Sequence, residues 1–141
     1  MQGYDDGNIF ARILRREIPC AKVYEDDVAL AFMDIMPRVE GHVLVIPKAP
    51  ARTLLDIAPD VLGALMQRVQ LVGRATVAAM GAEGLTLHQF SERVGGQEVF
   101  HLHFHLLPRH EGQALRPPGG PIEKPDVLAG LAARIKAELP D

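Results

Sequence analysis

Towards its carboxyl end the 141-residue chain carries His101-Leu102-His103-Phe104-His105, followed by Leu106-Leu107-Pro108, a run that alternates imidazole with hydrophobic side chains at a period of two. Successive side chains of a strand point to opposite faces at a rise of about 3.3 Å per residue, so a strand here carries three histidines on one face, apolar residues on the other, and His101 about 13 Å from His105. A row of ionisable groups is poor core material. Three uses compete for it: an exposed polar face without a role, a metal site, or chemistry on a phosphorus or acyl centre. Imidazoles at the two ends of such a row cannot both reach one ion at about 2.0–2.1 Å, so at most an adjacent pair with a distant group would ligate. The third use suits the pattern best, with one neutral imidazole attacking while its neighbours orient it, bind the oxyanion or move protons.

The rest of the chain bounds what surrounds this row. With 48% hydrophobic residues over 141 positions it is the size of one domain, read as 1–141 and able to bury about two-thirds of its unfolded surface. The net charge of −3 lacks the electrostatic footprint of a partner for long nucleic acids, so any phosphate must be gripped locally. Lys48, Arg109 and Arg116 read as solvated charges, with Arg109, four residues beyond His105, the best placed to meet a ligand. No apolar run approaches the ~20 residues that cross a membrane, and the amino terminus, with Asp5 and Asp6, has no secretory h-region. The single cysteine, Cys20, excludes an internal disulfide and reads as an ordinary small residue beside Pro19, so the expected compartment is the cytoplasm.

Periodicity predicts an α+β order. Ile9, Phe10, Ile13 and Leu14 mark a short amphipathic helix over 8–15 that ends before Pro19. Residues 23–26 and 28–33 suit a hairpin with acidic turn residues, and 43–46 a third strand stopped by Pro47. Pro59 suits the first turn of the longest helix and Gly81 or Gly84 its end, with Leu62, Leu65, Met66, Val69 and Val72 on one stripe. Residues 85–90 and 98–107 read as two more strands, 108–125 as a Pro- and Gly-rich loop, and Val127, Leu128, Leu131, Ile135 and Leu139 as a terminal amphipathic helix. Short strands without alternating crossover helices make an antiparallel sheet of about five strands, with the long helix packed on it and the C-terminal helix beyond.

The stretch Gly95-Gly96-Gln97-Glu98-Val99-Phe100-His101-Leu102-His103-Phe104-His105-Leu106-Leu107-Pro108-Arg109 resembles the signature of the histidine triad nucleotide hydrolases and transferases. Upstream, Ile18-Pro19, Val23-Tyr24-Glu25-Asp26-Asp27, Ala31-Phe32-Met33-Asp34-Ile35 and Gly41-His42-Val43-Leu44-Val45-Ile46-Pro47-Lys48 are similar to the amino-terminal half of that family. The resemblance covers a core of about 8–110, leaving 111–141 as loop and terminal helix.

The resemblance implies a function and its residues. His103 would attack the α-phosphorus of a purine nucleoside 5′-phosphate derivative, a phosphoramidate or a dinucleoside polyphosphate, and form a covalent nucleotidyl-histidine that water then releases. The carbonyl of His101 would orient it, His105 would donate to a non-bridging oxygen, and His42 would support the triad. Asp34 would accept the ribose hydroxyls, Phe10, Val23, Phe32 and Ile35 would sandwich the base, and Gln97, the backbone at Glu98 and Ser91 would meet the phosphate. The Glu98 carboxylate should point away from that phosphate. Where relatives often have asparagine in the loop before the triad, this chain has Phe90-Ser91. Many relatives hold a structural zinc with a Cys-x-x-Cys pair and a histidine, where this chain has Asn8, Ala11 and Pro50, so neither metal nor cofactor is expected. His88 and His110 have no counterpart in the resemblance and read as structural or exposed. Relatives usually pair as homodimers across the long helix and an edge strand. A nucleotide sensor or scaffold with little turnover would use the same residues and is the alternative reading.

Overall fold

The computed structural model describes residues 3–141. The side-chain oxygen of Asn8 accepts the backbone N–H of Ala11 at 2.9 Å and caps the short helix α1 (Ile9–Leu14). Strands β1 (Lys22–Glu25) and β2 (Ala29–Met33) form a hairpin. Its turn is held by Asp26, which accepts the backbone N–H groups of Val28 and Ala29 at 2.8 and 2.9 Å and pairs with Arg68. After β3 (Val43–Pro47), helix α2 (Pro59–Met80) starts on a proline whose missing N–H costs nothing there. It stops at Gly81, which takes the left-handed φ of +58° that glycine adopts without a Cβ clash. Strand β4 (Gly84–His88), a 3₁₀ turn (Arg93–Gly95), β5 (Phe104–Arg109) and α3 (Pro125–Lys136) complete the chain.

The strands form one antiparallel sheet in the order β1-β2-β3-β5-β4, the α+β arrangement the pattern predicts. Alternation along the strands serves two cores. Ala29, Ala31, Met33, Val43, Val45, Leu102, Phe104 and Leu106 pack with Leu65, Val69 and Val72 of α2 and Leu131 and Ile135 of α3. Leu30, Phe32, Leu44 and Ile46 point the other way and form a smaller cluster with Phe10 of α1.

Two expectations need correction here. The strand predicted over 98–107 begins only at Phe104, so His101 and His103 precede the ladder. Pro47 ends β3 without an N–H to offer, and the β3–β5 register stops at Val45↔Phe104; the N–H of Leu102 turns instead to the carbonyl of Ala51 at 2.9 Å. The period of two survives the loss of the ladder, because Leu102, Phe104 and Leu106 all enter the larger core. Val23, expected against a nucleobase, is buried in that same core under α3, on the side of the sheet away from Phe10 and Phe32. Hydrophobicity alone could not say which face it served.

Candidate active site

The site is built on the face of the sheet that α1 only partly covers. His103 is buried, and its Nδ1 lies 2.7 Å from the carbonyl oxygen of His101, its own neighbour two residues back. A carbonyl can only accept, so Nδ1 carries the proton and donates it, leaving the Nε2 lone pair bare. Burial holds the His103 pKa below the ordinary imidazole value, opposed by that same hydrogen bond and by the charge of Glu98. A neutral imidazole with an aimed lone pair is the form a nucleophile needs.

His105 is set in the opposite tautomer by a short relay. The backbone N–H of Arg38 donates to His42 Nδ1 at 3.1 Å, so the proton of this buried ring sits on Nε2. His42 Nε2–H donates to His105 Nδ1 at 3.0 Å, which leaves the His105 proton on Nε2 as a donor with no partner among the described residues. Burial pushes both pKa values down to about 3, with neighbouring histidines and Arg38 adding to the effect, so neither ring is cationic at neutral pH. The rings of His103 and His105 stand 4.9 Å apart. A lone pair and an N–H donor are thus presented side by side, the pair of functions that attack at phosphorus requires.

His101 completes the row from behind. Its Nε2–H donates to the carbonyl of Pro47 at 2.8 Å, and its Nδ1 accepts the hydroxyl of Tyr4 at 2.6 Å, so both nitrogens are committed. Burial lowers its pKa to about 4. On the other side of His103, the ring of Phe10 meets it edge-on at 5.0 Å and meets Phe32 at 5.4 Å. Asp34 follows β2. Its Oδ1 accepts the N–H of Met36 at 2.8 Å, and its Oδ2 lies 3.4 Å from His42 Nε2. Burial first, with a contribution from Glu98 and against the Met36 hydrogen bond, raises the Asp34 carboxyl to about 6. Because His42 stays neutral, the 3.4 Å contact is a polar contact and not an ion pair.

The family model described as the HIT domain matches residues 15–112. The chain belongs to the HIT family. It is 39% identical over 107 residues to adenylylsulfatase HINT3 of Arabidopsis thaliana, a match that takes in 76% of this chain but only 54% of that protein. It is 39% identical over 100 residues to the purine nucleoside phosphoramidase of Escherichia coli K12, covering 70% of this chain and 84% of that one. Among solved structures, a HIT-like protein from Bartonella henselae superposes with a TM-score of 0.94 at 46% identity, over 98% of this chain and 100% of that one.

The loop before the HIT histidines is organised differently from the sequence expectation. Gln97 is buried, and its side chain donates to the carbonyls of Arg52 and Val99 at 2.8 and 3.0 Å while accepting the N–H of Glu92 at 2.7 Å. It braces the loop from inside and is not directed at a phosphate. Ser91 exchanges hydrogen bonds with Gln89. Glu92, at a left-handed φ of +66°, forks onto the buried Arg52 guanidinium with two contacts of 2.9 Å, and Arg52 also lies 4.3 Å over the Phe100 ring. Gly96 has a φ of +102°, and a Cβ there would meet the Phe90 ring at 3.1 Å, so the glycine is required twice over. Glu98 is exposed, and its charge contributes to raising Asp34 and His103. Ile35 is 46% exposed next to Asp34.

The residues do not fit a metal. Asn8, Ala11 and Pro50 supply no thiolate or imidazole, and the Asn8 oxygen is spent on the α1 cap. Asp34, His42 and His105 bring donor atoms within 4.8 Å of one another, but the Arg38 N–H keeps the His42 proton on Nε2, the atom that would have to ligate. Sequence reasoning missed Tyr4, whose hydroxyl closes His101, and the Arg38 N–H, which sets the His42 tautomer from outside any motif; it read His88 as structural or exposed, and that ring lies 6.5 Å from the ring of His105. Only the last had a local signal, the period-two position of His88 in its strand.

Proposed function

We propose that this chain cleaves the α-phosphorus bond of a purine nucleoside 5′-phosphate derivative through a covalent nucleotidyl-His103 intermediate. The observation that carries the reading is the opposed pair of tautomers, a bare Nε2 on His103 beside an Nε2–H on His105, the first fixed by the His101 carbonyl and the second, through His42, by the Arg38 N–H, backbone groups that cannot reverse their roles. His103 attacks phosphorus and the leaving group takes the bonding electrons. His105 stabilises the charge that develops on a non-bridging oxygen. Water then attacks the phosphorus, breaking its bond to His103 and releasing the nucleoside monophosphate. Phe10, Phe32 and the exposed Ile35 line the side suited to a base, and Asp34, with acceptor lone pairs left over, suits the ribose hydroxyls.

The names of the relatives favour a phosphoramidate or a mixed phosphate–sulfate anhydride over a plain monoester, since one is a phosphoramidase and another an adenylylsulfatase. A homodimer joins this reading: Leu85 and Leu87 of the edge strand β4 are 40% and 44% exposed and line an apolar groove with Met66, Gly73 and Val77 of α2. No helix among the described residues is long and apolar enough to cross a membrane. Cys20 is a free thiol, which suits a reducing cytoplasmic setting.

Intact-mass spectrometry after rapid mixing with adenosine 5′-phosphoramidate, without acid quenching, tests the proposal. A transient adduct of one AMP that His103→Ala does not form supports it. Bound nucleotide without adduct or released AMP overturns it in favour of a nucleotide sensor.

A further inference from the structure

The histidine face does not end at the triad. Across the sheet the register runs Phe32↔Leu44, Leu44↔His105 and His105↔His88, so these four side chains form one row over β2, β3, β5 and β4. Neighbouring strands lie about 4.8 Å apart, which puts His88 one strand beyond His105 on the side away from Phe32. The rings of His88 and His105 meet at 6.5 Å, and Phe90 packs on both, at 5.5 Å from His88 and 5.7 Å from His105. Leu85 and Leu87, which alternate with Thr86 and His88, face the α2 groove, so a partner seated in that groove would leave His88 open.

The other histidines of the site are all committed. His101 and His42 have both nitrogens engaged, His103 must keep its lone pair, and the one spare N–H of His105 is needed for the phosphate oxygen. His88 is half-buried, reaches solvent, and its ring makes no hydrogen bond among the described residues. The groups that face it are His105 from β5 and His42 from just before β3, both neutral, together with the Phe90 ring from the following loop.

We propose that His88 is the general acid that protonates an amine leaving group, so that the site is built for P–N bonds. This rests on the phosphoryl-transfer reading above. With the nucleoside on the Phe10 and Phe32 side, the substituent across the α-phosphorus extends towards β4 and its edge histidine. As His103 Nε2 forms its bond to phosphorus, the P–N bond breaks with its electron pair going to nitrogen. The His88 imidazolium gives that nitrogen its proton and becomes neutral. In the second step neutral His88 takes a proton from the attacking water, the P–His103 bond breaks with its electrons returning to His103, and the imidazolium is regenerated. The sum is phosphoramidate plus water giving amine plus nucleoside monophosphate.

Two substrates that share the adenylyl group separate this role from a structural one: adenosine 5′-(N-alkyl phosphoramidate), whose amine needs a proton to leave, and the 4-nitrophenyl ester of AMP, whose phenolate does not. His88→Gln should lower the ratio of kcat/KM for the amide to that for the ester by about 10²-fold, within the usual range for a positioned acid. In His88→Ala, added imidazole should restore part of the amide turnover and leave ester turnover as it was. Equal losses on both substrates, or no loss on the amide, overturn the proposal while the adduct on His103 still stands. A wild type that turns over neither substrate overturns the phosphoryl-transfer reading and this role with it.

Discussion

His101 and His105 flank the same central imidazole two residues away, and burial lowers both pKa values, to about 4 and about 3. Their hydrogen bonds divide them. His101 is closed on both nitrogens, by the Tyr4 hydroxyl and the Pro47 carbonyl, and gives the site only its backbone oxygen. His105 is closed on one nitrogen by His42 and keeps the other for a ligand. Identical residues at equivalent spacing thus differ in whether the second nitrogen is spoken for, which under the proposed chemistry makes one a scaffold and the other a reagent.

The sharpest way to break that contrast is to truncate each end. His105→Ala should lower kcat by about 10²–10³-fold, the usual cost of losing a donor to a developing oxyanion, beyond whatever stability the stranded His42 N–H costs. His101→Ala keeps the carbonyl that orients His103 but strands the Pro47 oxygen, and should cost about 1–3 kcal/mol of stability, read by denaturant titration, with the smaller loss of activity. Equal losses of kcat would erase the distinction. His42→Phe removes the N–H that sets the His105 tautomer, and kcat on adenosine 5′-phosphoramidate should drop by roughly 10-fold or more with KM nearly preserved. A change confined to KM would make His42 a binding residue instead.

Acid should act on both ends together. His42, His101 and His105 have folded values of about 3, 4 and 3 against an ordinary 6.5, and His103 is lowered too. Between those limits the unfolded chain binds more protons than the folded one, so stability is full above about pH 6.5 and is lost progressively as pH falls towards 4. Asp34, raised to about 6 from 3.8, opposes this between those values, one group against four. The thermal midpoint should therefore fall from pH 7 to pH 4, and a flat or rising midpoint would mean that the rings are not held neutral. The smallest effect belongs to Tyr4→Phe, which removes a single donor at the closed end: about 0.5–1.5 kcal/mol in stability and a few-fold in kcat, read by denaturant titration and turnover.

Much of this architecture is legible in the sequence because it rests on periodicity. Period two along residues 101–107 survives even where the ladder ends, and Pro59 and Gly81 bracket α2 at the positions their backbone preferences dictate. What the pattern cannot supply is long-range pairing. Nothing in the composition of residues 3–8 announces that Tyr4 reaches His101, 97 positions away, or that the N–H of Arg38 fixes the proton of His42. Val23 and Phe32 look alike as apolar strand residues, and only the register and the β1 irregularity send them to opposite faces. Gln97 sits where a phosphate contact was expected, yet its amide is consumed by three backbone groups that come together only on folding.

The most direct test of the opposed tautomers is long-range ¹H–¹⁵N NMR of the histidine side chains at pH 7. His103 should show a protonated Nδ1 with a bare Nε2, and His42 and His105 a protonated Nε2 with a bare Nδ1, all three neutral. A proton on His103 Nε2, or a cationic His42–His105 pair, would contradict the arrangement on which the proposed chemistry stands.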